Sequence, residues 1–82
     1  MANRSGVQVL AIQHAVANAS PGSWRDAIVV EVGSDAVTLM CLDGTALRLA
    51  TAARLTLGEP VAFHPVAELL AAGGTRHRAR LG

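Results

Sequence analysis

Lysine and tyrosine are absent from this chain, and Trp24 and Phe63 are its only aromatic residues apart from histidine. A core without many rings has to be aliphatic, and the strands lack the stacking platforms that hold single-stranded bases. Cysteine occurs once, as Cys41, so an internal disulfide is excluded and the stapled scaffold of small secreted domains with it. Nowhere do about 18 apolar residues follow one another, the length a membrane-spanning helix needs. Gln8, Gln13 and His14 break the N-terminal apolar residues before they reach signal-peptide length. The expectation is a cytoplasmic chain with no leader and no membrane partner.

Chemistry is equally sparse. His14, His64 and His77 sit in three separate segments, and neither HxH, HxxxH nor paired cysteines supply metal-ligand spacing. Gly6, Gly22, Gly33, Gly44 and Gly58 stand singly, so no glycine-rich phosphate loop exists. Cys41 alternates in phase with Val37 and Leu39, as a small buried hydrophobe does, and no histidine lies near it in sequence to activate a thiolate. Ser34, Asp35 and Asp43 are the residues that turns favour. Neither an acid and base pair nor a nucleophile with its base can be assembled, so the sequence predicts no catalytic residues, no cofactor, no metal and no enzyme activity.

What is present is apolar: 51% of 82 residues. A single domain of this size buries only about 60 to 65 per cent of its unfolded surface, so a partner or self-association would add needed burial. The seven basic residues are all Arg, a bias that together with abundant Ala, Val, Leu and Gly fits a GC-rich, bacterial genome. Their distribution is uneven. Residues 1–74 hold Arg4, Arg25, Arg48 and Arg54 against all six acidic residues, whereas residues 75–82 hold Arg76, Arg78 and Arg80 and no acid.

Read in order, residues 1–23 form an N-terminal helix or strand and a linker. Val9, Ile12 and Val16 with Ala15 and Ala19 make a helical stripe, while Val7, Val9 and Ala11 alternate like a strand. The alanine content and Ser5 as a cap favour helix, ended by Ser20-Pro21-Gly22-Ser23. Residues 24–74 read as a small barrel. Ile28, Val30 and Val32 alternate, then Val37, Leu39 and Cys41, then Leu47 and Leu49 after a turn at Asp43-Gly44 that suits type I′. Leu55 and Leu57 mark a fourth short strand, and Val61 and Phe63 a fifth. Pro65, Val66, Leu69 and Leu70 have helical spacing before Gly73-Gly74, which predicts a short C-terminal helix. Residues 75–82 carry no period and read as a flexible, Arg-rich tail. Five short strands at this spacing predict a mainly β fold, a small SH3-like or OB-like barrel with its edges closed off.

The succession Val29-Val30-Glu31-Val32-Gly33, Val37-Thr38-Leu39, Asp43-Gly44 and Leu57-Gly58-Glu59-Pro60-Val61-Ala62-Phe63-His64 resembles the plan of KOW and TOBE modules and of hydrogenase-maturation chaperones of the HypC type. The resemblance implies the barrel alone. The chaperones act through a cysteine directly after the initiator methionine, where this chain has Ala2, and its own Cys41 falls within a strand.

The function expected from these features is non-catalytic: an interaction or assembly module that forms a homo-oligomer or serves as an accessory subunit, with Trp24, Phe63 and His64 as interface residues. The alternative is nucleic-acid or acidic-partner contact through Arg76, Arg78 and Arg80, aided by Arg25 and Arg48, since three guanidiniums neutralise about three phosphates. A barrel binding a metal or small molecule through His64 and Glu59 has the least support.

Overall fold

The computed structural model describes residues 9–82. Val7, Gln8, the start at residues 1–6 and the Ser5 cap lie outside them. Helix α1 (Ala11–Ala19) leads through a 3₁₀ turn at Pro21–Ser23 into six strands: β1 (Arg25–Val32), β2 (Ala36–Cys41), β3 (Ala46–Thr51), β4 (Pro60–His64), β5 (Leu69–Ala72) and β6 (Thr75–Leu81). They form a closed antiparallel barrel in the order β1-β2-β3-β6-β5-β4, with β4 returning to β1. The mainly β architecture and the helix in residues 11–19 agree with the sequence reading.

The barrel interior is aliphatic with one ring. Ala27, Val29, Val37, Leu39, Cys41, Leu49, Val61, Phe63, Leu70, Ala72 and Ala79 form a continuous buried cluster. Leu55 joins it from the connector between β3 and β4, so the segment expected as a fourth strand instead packs one leucine into the core. Leu57 in that connector is exposed.

Two expectations for the C-terminal residues are corrected. The predicted C-terminal helix is absent: Pro65–Glu68 form a turn and Leu69–Ala72 are β5. Its helical spacing arises because Leu69 and Leu70 are both fully buried, one outward beneath α1 and the other inside the barrel. Residues 75–82 are not a flexible tail. Thr75–Leu81 is the strand that closes the ring, paired with both β3 and β5. Ala79 is its only buried side chain, so no apolar alternation announces it.

The turns exchange roles as well. Asp43 does not take a positive φ, as type I′ would require; Gly44 N–H bonds Cys41 O at 2.9 Å, and Gly44 alone is left-handed at φ 88. This is a type I turn with a glycine bulge. Gly73 and Gly74, expected to stop a helix, have φ 58 and 83 and make the two-residue hairpin between β5 and β6.

The phase of β1 is inverted. Ala27 and Val29 point inward, while Ile28, Val30 and Val32 are exposed. Ala27 faces Cys41 and Val61 across its two neighbours, both inward, and the register shift between Val29 and Glu31 carries Val30 out of the ladder. Period alone defines two faces and does not say which is inside.

Candidate functional site

Three groups of residues could meet a partner, and the fold places them on different parts of the surface. The first is the aromatic and histidine set. Phe63 is buried inside the barrel and cannot form an outer interface. His64 is 0% exposed, which likewise corrects its assignment as a surface contact. Its Nδ1 accepts the Ala67 N–H at 3.1 Å, so Nε2 carries the hydrogen and donates to Ser20 O at 2.9 Å. Both ring nitrogens are thus spent on backbone groups.

Trp24 meets His64 edge-on, with centroids 5.1 Å apart, and carries the Arg76 guanidinium 5.4 Å from its ring centroid. Arg76 in turn donates to His14 Nδ1 at 3.0 Å and to Asn18 Oδ1 at 3.2 Å. Trp24, His64 and Arg76 therefore come together, and what they join is α1 to its own barrel.

The second group is the arginines. Arg25 reaches the β2–β3 turn and pairs with Asp43 at 3.1 Å, an exposed bridge of small energetic weight. The Thr45 N–H, first, and the Arg25 charge after it hold the Asp43 carboxyl below its ordinary value of 3.8. Arg78 and Arg80 share a surface depression with Asp35 and Glu68, and Arg48 lies in another with Glu31 and Asp35. Carboxylates are interleaved with these guanidiniums, so the arginines do not add up to a patch of one sign. Glu59 accepts the Thr56 N–H at 3.0 Å at one end of β4, five residues from His64 at the other. That separation is about 16 Å along a strand, too far to share a ligand. Among the described residues, no three His, Cys, Asp or Glu side chains gather as metal ligands would. No described helix is long and apolar enough to cross a membrane.

The third group was missed by the sequence reading because of the phase of β1. Ile28 lies between Met40 of β2 and Pro60 of β4 in register, giving an uncharged row across three hydrogen-bonded strands. Ile28 is 36% exposed and Met40 39%. In the adjoining row Asp26 pairs with Ala62, which pairs with Ala71, and Leu42, whose N–H bonds Asp26 O, is 77% exposed. Asp26, Ile28, Leu42, Pro60, Ala62 and Ala71 line one shallow, open depression. Asp26 is its only charge. The clue in the sequence was Ile28-Val30-Val32 itself: six strands enclose little volume, and the smaller Ala27 fits the interior better than Ile28.

Comparison with protein-family models, with curated proteins and with solved structures finds no match to this chain, so any function must be argued from these side chains.

Proposed function

We propose that this protein is a non-catalytic interaction module of the SH3-like or OB-like kind, and that it assembles with a second copy of itself through the outer face of β2, β1 and β4. The observation that carries the reading is the Met40, Ile28 and Pro60 row with Leu42, Ala62 and Ala71 beside it. Surfaces of this composition, aliphatic with Met and almost free of charge, are those of homodimers more than of transient complexes, whose anchors are Trp, Tyr and Arg.

Size sets the strength. Strands spaced about 4.8 Å apart and rows about 7 Å apart give a patch of roughly 300 Å² per copy. Burying about 600 Å² in total contributes about 15 kcal/mol at 25 cal/mol/Å². Association costs about 4 to 15 kcal/mol, so the contact is weak and transient, smaller than the roughly 1,200 Å² of a standard specific interface. An accessory role on a larger protein would use the same face.

Contact with nucleic acid has less support. Arg25 and Arg76 are engaged within the chain, and the remaining arginines share their surroundings with Glu31, Asp35 and Glu68.

Sedimentation from about 10 μM to 1 mM tests self-assembly. The mass should rise from 8.4 kDa toward twice that value with concentration. Ile28→Asp, which puts a charge at the centre of the row, should remain monomeric with an unchanged β-type circular dichroism spectrum. A wild-type chain that stays monomeric throughout would remove the proposal.

A further inference from the structure

We infer that α1 is a strap that opens and closes on a barrel which itself stays shut, and that opening uncovers an apolar floor of Ala67, Leu69 and Trp24 and releases Arg76. The inference does not rest on self-assembly, whose face centres on Ile28 of β1 and meets the strap's seat only at β5, where Ala71 follows Leu69 and pairs with Arg76.

The packing falls into two separate clusters. One lies inside the barrel and contains no residue of α1. The other consists of Ala17, Ala67 and Leu69, with Val9, Val16 and Trp24 partly buried around them, and lies outside the ring. Loss of the second cluster removes nothing from the first. Every strand of the barrel is also hydrogen-bonded to two others within residues 25–81, so no edge depends on α1 for a partner.

The helix is weakly committed to its seat. It spans nine residues, of which Ala17 alone is buried. A helix so short does not persist in water by itself, so detachment and unwinding would occur together.

Side chains form the latch. The amide nitrogen of Gln13 donates to Ala67 O at 3.0 Å and to Glu68 O at 3.2 Å, while its oxygen accepts the Leu10 N–H at 3.0 Å. Gln13 thus organises the first turn of the helix and fastens it to the barrel. Arg76 fastens the other part, through His14 and Asn18. Both attachments are exposed for most of their contacts, where water can replace each bond at small net cost.

The hinge is fixed more firmly than the strap. His64, fully buried, holds the Ser20 carbonyl where α1 ends. The 3₁₀ turn at Pro21–Ser23 then connects to Trp24 and the first strand. Motion would pivot at Ser20 and leave Trp24 in place beneath. Regions with few buried contacts and exposed bonds open below the global unfolding free energy, and α1 has both properties.

Amide hydrogen exchange of the full chain tests this, with the single tryptophan as a second reporter. Amides of residues 14–19 should exchange at least about 100-fold faster than those of β2, β3 and β4, because only the former can open without global unfolding. Gln13→Ala should raise α1 exchange at least about fivefold, as loss of three mostly exposed hydrogen bonds of small net worth would, without changing the barrel amides. Acrylamide quenching of Trp24 should rise in parallel. Equal exchange rates for α1 and the barrel in the wild-type chain, or uniform acceleration of all amides by Gln13→Ala, would overturn the inference.

Discussion

His64 offers the sharpest test of how the strand end, the turn after it and the end of α1 are held together. Its imidazole satisfies two main-chain groups at once, the Ala67 N–H and the Ser20 carbonyl, and it is fully enclosed. Replacement by Phe keeps the ring and its edge-on packing with Trp24 but leaves the Ala67 N–H unpartnered, while Ser20 O keeps the Ser23 N–H at 3.1 Å. An orphaned buried group costs about 1–3 kcal/mol, so His64→Phe should lose about 1–3 kcal/mol despite its greater hydrophobicity. Two polar variants divide the effect. His64→Asn can set its amide oxygen near the position of Nδ1 and retain the Ala67 bond alone, whereas His64→Gln can reach Ser20 with its amide nitrogen and retain that bond alone. His64→Gln should therefore lose about 1–3 kcal/mol, as His64→Phe does, and His64→Asn only about 0.5–1.5 kcal/mol, with a fall in Tm of roughly 4–8 °C per kcal/mol for a domain of this size. Urea unfolding followed by circular dichroism, with Trp24 fluorescence alongside, measures all three. If His64→Phe were as stable as the wild type, the histidine would be acting as a mere space filler and the hydrogen-bond argument would fail.

Two other consequences concern turns. The Asp43 carboxyl is held below its ordinary value of 3.8, chiefly by the Thr45 N–H. A group whose folded value is depressed contributes stability above the unfolded value and loses it as pH falls through the folded one, so this contribution is complete above about pH 4 and vanishes in stronger acid. A carbon-detected NMR titration should place the Asp43 midpoint below that of Asp in a peptide, and Asp43→Asn should flatten this part of the acid limb of stability. Gly74, at φ 83, has open space where a Cβ would go, so backbone strain alone opposes a side chain there. Gly74→Ala should cost about 1–2 kcal/mol in thermal unfolding, and a neutral effect would mean that the hairpin relaxes to another turn type.

Much of the barrel could be read from the sequence because its inward residues alternate strictly. Val37, Leu39 and Cys41, then Leu49, then Val61 and Phe63, all face the core in the expected phase. The failures have a common source in competition between two buried surfaces. Leu69 and Leu70 are consecutive because one packs under α1 and the other within the ring, and that doubling imitates helical spacing. β6 was hidden for the opposite reason, since Arg76, Arg78 and Arg80 occupy its outer positions and, of the residues on its inner side, Ala79 alone is fully buried. In β1 the two faces are both apolar, and period cannot choose between them. That ambiguity is why the exposed row through Ile28 was legible as a strand and not as a surface. Trp24 and His64 read from the sequence as interface residues, whereas the partners they meet, Arg76 and Ser20, tie α1 to the barrel, and Arg76 is remote in sequence.

The order in which the strands join has a consequence for how the molecule comes into being. β1, β2 and β3 can zip as neighbours as soon as they exist, but β3 has to wait for β6, with Thr51 finding Ala79 across the intervening chain. During synthesis the nascent sheet therefore presents an unpaired β3 margin until β6 emerges from the ribosome and seals the cylinder.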